Sequence, residues 1–266
     1  MFDFTSLLRD LPLYLLSLPV LLLAFSVHET AHGYVAYKLG DPTARSLGRL
    51  TLNPVKHIDP IGFICMMIFH VGWAKPVPIN TRYFRNPKRD MALTGAAGPL
   101  SNLALALMHL IILWITMFFV APAFKAEAGE TLFGIVSSSM TGGSYKASLS
   151  FTIVSILIYL LYLGIIMNIS LAIFNLIPIP PFDGSRIFYA VLPQKLYWGV
   201  MKYERIIMLV MMLLFFFGFL SGPLSWLLSK IAGGLFFITG LDRGDMGGVL
   251  NTMIIYLQQL LTVAFS

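Results

Sequence analysis

Two histidines and a glutamate lie close together at the end of the first apolar stretch, where His28 and Glu29 are followed, after two intervening residues, by His32. On a helix, side chains four residues apart are separated by about 40° around the axis, so both imidazoles can bind one metal ion. Glu29 lies one position further round, where it can act as the base for a water held by the metal. Zinc lowers the pKa of such a water to about 7, so a carboxylate can remove its proton near neutral pH. The spacing therefore predicts a hydrolytic zinc centre with Glu29 as the catalytic base.

The same three residues have two other interpretations. Ionisable side chains at membrane depth are costly unless they are paired or bound to something. They could form a hydrogen-bonded cluster on a structural helix, or belong to an ion or proton path, so a membrane transporter is the alternative function. Against a transporter, the ionisable residues gather near one face, and the outer half of the predicted bundle offers only His109.

Zinc in a hydrolase usually has a third protein ligand and one open position. Candidate donors elsewhere in the chain include His57, Asp59, His70, Asp90, His109, Asp183, Glu204, Asp242 and Asp245. The prolines in residues 178–181 break the third apolar stretch on the side of the membrane where the histidine pair ends. Asp183 follows them and would arrive at the same depth, although an ordinary loop carboxylate is the other interpretation of this residue.

The composition indicates that the bilayer is the solvent of this protein. Of its 266 residues 58% are apolar and 11% are charged, against about 25% charged in soluble domains. Cys65 is the one cysteine, which excludes an internal disulfide and a cysteine-based zinc cluster. The net charge of +6 is explained by basic cytoplasmic loops, so we expect no nucleic-acid partner. The predicted fold class is an all-α polytopic membrane protein.

Hydropathy predicts a bundle of about five or six transmembrane helices. Gly222 and Pro223 lie inside the fourth apolar stretch, which could be one broken helix or a hairpin of two short helices. Residues 60–74 are uncharged but short for a span, and they predict a small re-entrant or β-hairpin element between the first two helices. The stretches without Asp, Glu, Lys or Arg that are long enough to span are 11–28, 91–124, 147–182, 206–229 and 246–266.

Basic residues predict the orientation. Residues 38–90 carry nine and residues 178–205 carry four, whereas the predicted 121–150 loop carries two, balanced by two glutamates. Because cytoplasmic loops are enriched in Lys and Arg, we expect the active site to face the cytoplasm. The expected location is a bacterial inner membrane.

Two further motifs accompany the histidine pair. Residues 175–184 read Asn-Leu-Ile-Pro-Ile-Pro-Pro-Phe-Asp-Gly, and residues 95–102 read Gly-Ala-Ala-Gly-Pro-Leu-Ser-Asn. Together with residues 28–32, 53–60 and 73–80, they resemble the site-2 protease family of intramembrane zinc metalloproteases, in its compact form without a PDZ domain. The resemblance extends from about residue 20 to 190. One departure is Phe182, where leucine is usual before the Asp-Gly pair.

The resemblance implies that His28, His32 and Asp183 bind one Zn²⁺ per chain and that Glu29 is the general base. It further implies that the protein partner is the transmembrane segment of a substrate. We expect a single transmembrane metalloprotease domain over 1–266, with its core in 10–190 and C-terminal helices in 206–266.

Two asparagines lie in uncharged segments, where a buried amide must find partners. Asn102 and Asn175 could each bind the developing oxyanion or the main chain of the substrate. An interhelical hydrogen bond is the alternative interpretation of each residue.

Overall fold

The computed structural model describes residues 4–69, 73–141, 147–193 and 202–263, together with Leu196 and Gly199. These residues are predominantly helical, and no strand occurs among them, so the all-α prediction is confirmed for the described part of the chain.

The first helix, α1, runs from Phe4 to Lys38 and carries the histidine pair in its last third. The helix ends just before Gly40, which adopts a φ of +109° that residues with a Cβ rarely accept. A short helix α2 (Thr43–Ser46) follows, and a ten-residue helix α3 spans Pro60–Phe69.

The predicted β-hairpin is not confirmed. Between the first two long helices the described residues contain one isolated antiparallel bridge, which joins Ile58 to Ala74. Residues 75–80 have no regular secondary structure, and their two prolines favour an extended main chain. Residues 70–72 lie outside the described part.

The second long helix, α4, runs without a break from Pro87 to Thr141. The prediction of a loop over 121–150 was therefore wrong for residues 121–141. Alanine, glutamate, leucine and methionine favour the helix there, and hydropathy alone does not report where a helix leaves the bilayer. The third long helix, α5 (Leu149–Asn175), ends where the prolines begin, and α6 (Gly184–Val191) follows Asp183.

The C-terminal part contains helices α7 (Glu204–Phe216), α8 (Ser221–Thr239) and α9 (Gly244–Val263). The break between α7 and α8 lies at residues 217–220, where Gly218 has a φ of +75°. The sequence placed this break at Gly222 and Pro223, but both belong to the first turn of α8. Proline is compatible with that position because the first N–H groups of a helix have no partner within it.

Four of the described helices are long and apolar enough to cross a membrane. The expected number of five or six spans is not confirmed. The four candidate spans are Leu11–Lys38, Pro87–Thr131, Leu149–Asn175 and Ser221–Thr239.

The chain forms two compact units. The first contains Met1–Val20, Ala106–Ile166 and Ser229–Ser266, and the second contains Leu21–Leu105 and Met167–Leu228. The histidine pair and Asp183 belong to the second unit.

Candidate active site

Three side chains from two distant segments meet in the second unit. Nε2 of His28 lies 3.0 Å from Nε2 of His32, and each of these nitrogens lies 3.1 Å from Oδ2 of Asp183. Both histidines are buried, whereas the carboxylate of Asp183 is 24% exposed. Within the described residues, this is the group of histidines and carboxylates that could hold a metal ion.

The other nitrogen of each imidazole contacts an oxygen. Nδ1 of His28 lies 2.6 Å from Oδ1 of Asn102, and Nδ1 of His32 lies 2.7 Å from the main-chain oxygen of Thr94. Both oxygens are acceptors, so each neutral imidazole carries its proton on Nδ1 and donates it there. The Nε2 atoms are then left unprotonated, with their lone pairs free for a ligand.

This donor set fits a zinc ion. Two imidazole lone pairs and a carboxylate oxygen that face one another at 3.0–3.1 Å repel each other unless a cation lies among them. Tetrahedral zinc with bonds of about 2.0–2.1 Å separates its ligand atoms by about 3.3 Å, which is close to the observed triangle. Two nitrogens and one carboxylate oxygen are also the ligand types of catalytic zinc.

Asp183 is held in place by the residue before it. Phe182 is 6% exposed, and its ring lies 4.5 Å from that of Phe174 and 5.5 Å from that of Phe215, measured between centroids. The larger aromatic side chain thus replaces the usual leucine by filling a cluster of rings. Burial raises the pKa of the Asp183 carboxyl, but when no metal is bound the histidines can take a second proton on Nε2 and donate it to Oδ2, and these hydrogen bonds hold that pKa well below its usual range. Asp183 is therefore ionised, as a metal ligand must be.

At two positions a neighbouring segment lies so close to the main chain that only glycine fits. A Cβ on Gly98 would lie 2.6 Å from Nε2 of His28 and closer still to Nε2 of His32. A Cβ on Gly184 would lie 2.5 Å from the carbonyl carbon of Leu176. The φ of Gly184 is not positive, so this position requires glycine for space beside the end of α5 and not for its backbone conformation.

Glu29 directly follows His28 of the metal-binding triangle and contacts the segment of residues 74–80. Its Oε2 accepts the main-chain N–H of Val77 at 2.8 Å. The carboxylate is partly exposed, as a base that exchanges protons with water must be.

The two candidate asparagines have different surroundings. Asn102 is fully buried, and its Nδ2 donates to Oδ1 of Asn168 at 2.8 Å and to the carbonyl of Ala24 at 3.3 Å, in addition to its contact with His28. The Nδ2 of Asn175 donates to the carbonyl of Leu171, one turn earlier on the same helix. The described contacts thus bring Asn102, and not Asn175, against the metal-binding histidines.

Other candidates lie elsewhere. His57 is buried, and its Nε2–H donates to the carbonyl of Thr51 at 2.7 Å. Asp59 accepts the N–H of Gly62 at the start of α3. His109 belongs to the first unit, and His70 lies outside the described residues.

Three groups of the site were missed by sequence reasoning. Asn168 could have been identified from the sequence, because an amide in an apolar span requires hydrogen-bond partners, as Asn102 does. The proline on each side of Val77 was a weaker signal that its N–H is isolated. The carbonyl of Thr94 gave none, since every residue has a main-chain oxygen.

Comparisons with known proteins agree with this chemistry. The chain is 37% identical over 195 residues to YwhC of Bacillus subtilis (strain 168), which is provisionally named a zinc metalloprotease, and the match covers 73% of this chain and 77% of that protein. Rip2 of Mycolicibacterium smegmatis, provisionally named in the same way, is 32% identical over 108 residues, which cover 38% of this chain and 40% of Rip2. No solved structure gives a significant match. The model of peptidase family M50 matches residues 16–219, so the chain belongs to peptidase family M50, the site-2 protease family of metalloproteases.

Proposed function

We propose that this protein hydrolyses peptide bonds in or near the transmembrane segments of membrane-protein substrates. The observation that carries the proposal is the triangle of His28, His32 and Asp183, which lies beside Glu29 at the end of a membrane-length helix. A substrate that crosses the bilayer would reach this site without leaving the membrane. Membership of peptidase family M50 supports the proposal.

Each residue of the site has a distinct role. We propose His28, His32 and Asp183 as the ligands of one zinc ion per chain. A zinc ion held there would act as a Lewis acid on the carbonyl of the scissile bond. Asn102 and the carbonyl of Thr94 hold the imidazole rings in the orientation that directs both Nε2 atoms to the ion.

Glu29 moves the proton. Its carboxylate removes a proton from the attacking water, whose oxygen forms a bond with the carbonyl carbon. The same carboxyl then gives this proton to the nitrogen of the leaving group as the carbon–nitrogen bond breaks. The products are a carboxylic acid and an amine, which become a carboxylate and an ammonium group by proton transfer between them, and Glu29 is again ionised.

The substrate must unwind before cleavage, because the carbonyls of a helix are engaged in its own hydrogen bonds. Residues 74–80, whose prolines favour an extended main chain, could pair with the unwound segment. Within residues 76–78, however, the prolines have no N–H and that of Val77 is bonded to Glu29. This part of the segment therefore offers the substrate only carbonyl acceptors.

The orientation and location are part of the proposal. We place the active site towards the cytoplasm of a bacterial inner membrane, with the basic residues of 38–90 on the cytoplasmic side. Water would then enter from the cytoplasm. The alternative of an ion or proton transporter is not favoured by the comparisons, since the relatives are named as metalloproteases.

The test compares wild type with Glu29→Gln in detergent, using a model single-pass substrate and measuring bound metal in both proteins. We expect wild type to cleave, the variant to be inactive, and both to hold about one zinc ion per chain. His28→Ala is the matched control and should lose the metal. A wild-type protein that neither contains zinc nor can be loaded with it would refute the proposal.

A further inference from the structure

The segment Pro76-Val77-Pro78 passes Glu29 with a single main-chain donor. Proline has no N–H, so the N–H of Val77 is the one main-chain donor in these three residues. It is given to Oε2 of Glu29 at 2.8 Å. Oε1 accepts no hydrogen bond from the described residues, so the carboxylate is held by one oxygen and has the other available.

The segment is fixed at both ends. The N–H of Lys75 donates to the carbonyl of His57 at 2.8 Å, and the guanidinium of Arg49 donates to the carbonyl of Lys75 at 2.8 Å. At the other end the N–H of Asn80 donates to Oδ2 of Asp41 at 2.6 Å. The main chain on either side of Val77 is thus anchored to the rest of the second unit.

Two of these anchors are buried charges. Arg49 is 8% exposed and Asp41 is fully buried, and burial of a charge is costly unless it is hydrogen-bonded. Hydrogen bonds from ionised groups are also stronger than those between neutral groups. The side chain of Val77 is itself 6% exposed and lies beside Gly33, one helical turn after Glu29. Two buried charged side chains therefore hold the main chain of this short segment in a fixed position beside Glu29.

We propose that the main-chain N–H of Val77 positions the general base. It holds Oε2 of Glu29, so that Oε1 is directed at the water that attacks the substrate. Val77 is then a positioning residue that acts through Glu29. This inference rests on the proposed protease function. It differs from the proposal that residues 74–80 pair with the substrate, because the N–H of Val77 donates to a carboxylate of the enzyme itself.

The test replaces the donor without changing a side chain. Val77→α-hydroxyisovaleric acid exchanges the N–H for an ester oxygen, and the α-hydroxy analogue of isoleucine at Ile79 makes the same change two residues later. Each ester also makes the carbonyl before it a weaker hydrogen-bond acceptor, that of Pro76 in the Val77 ester and that of Pro78 in the Ile79 ester. Both variants therefore carry the same kind of loss in binding the substrate. Val77→Ala, which keeps the N–H and removes the side chain, completes the set.

We expect the Val77 ester to lower kcat about tenfold or more, since small misplacement of a catalytic group is costly. The KM and the zinc content should match those of the Ile79 ester. Val77→Ala, which keeps the N–H, should lower kcat less than the Val77 ester does, even if its melting temperature falls further. An equal kcat for the two esters would overturn the inference.

A second readout does not depend on activity. With Glu29 present, the Val77 ester should lower the melting temperature more than the Ile79 ester does. In a Glu29→Ala background the two esters should have equal effects, because the partner of the N–H is gone. Equal effects in both backgrounds would contradict the contact. Failure of the wild-type protein to cleave any substrate would instead refute the protease function, and the role of Val77 with it.

Discussion

Gly98 packs so closely against His28 that a methyl group on its Cα would lie 2.6 Å from Nε2 of the imidazole. The second long helix therefore reaches the metal-binding face of the first only because residue 98 has no side chain. Glycine inside a helix normally costs about 0.5–1 kcal/mol relative to alanine, so its presence here reflects the site and not the stability of the helix.

Gly98→Ala should therefore displace the imidazoles and remove most of the bound zinc. Gly129→Ala is the matched control, because Gly129 lies in the same helix with open space around it. It should keep its zinc and be as stable as wild type or more so. Metal content after purification and the melting temperature of both variants check the prediction. A Gly98→Ala protein with full zinc content would contradict it.

Asn102→Ala should weaken zinc binding by about 10- to 100-fold, because the loss of a group that orients a ligand typically has this effect. Its Oδ1 lies 2.6 Å from Nδ1 of His28, so the ring loses its orientation when the amide is removed. Asn175→Ala is the control for metal affinity, since that amide contacts its own helix. Competition with a chelator measures the dissociation constants. Equal affinities of the two variants would show that Asn102 does not support the metal.

Phe182→Ala should lower the free energy of unfolding by about 3–5 kcal/mol, as expected for a buried phenylalanine. Zinc should then be lost at lower chelator concentrations, because Asp183 is the next residue. Phe182→Leu should cost less, since leucine fills more of the space between Phe174 and Phe215. Phe133→Ala serves as the control, because Phe133 is 75% exposed. Denaturation in detergent, followed by zinc release, distinguishes these variants.

The predicted orientation can be tested by labelling single cysteines. Cys65 is the one native cysteine, so Cys65→Ser gives a background in which Arg85→Cys and Glu130→Cys can be compared. Both positions are exposed in the structure. A membrane-impermeant maleimide added to intact cells should label residue 130, whereas residue 85 should react only after permeabilisation. The reverse pattern would place the active site on the outer side.

The parts of this protein that depend on local periodicity could be predicted from the order of its residues. His28, Glu29 and His32 lie within about one helical turn, so the helix period alone brings the two imidazoles to one face. The apolar runs likewise predicted the long helices, because the bilayer requires continuous hydrophobic stretches. The ends of the helices were less predictable. α4 extends to Thr141, and the break before α8 lies at Gly218 and not at Pro223.

The contacts of these residues depend on how distant segments pack together in the fold. Asp183 lies 155 positions from His28, and whether it reaches the histidines depends on how α5 packs and where its prolines lead the chain. The same packing distinguishes Asn102 from Asn175, which were equivalent as amides in apolar segments. The N–H of Val77 and the carbonyl of Thr94 belong to the main chain, which is the same at every residue. Their roles arise from position, and the two prolines around Val77 were the only hint of them in the sequence.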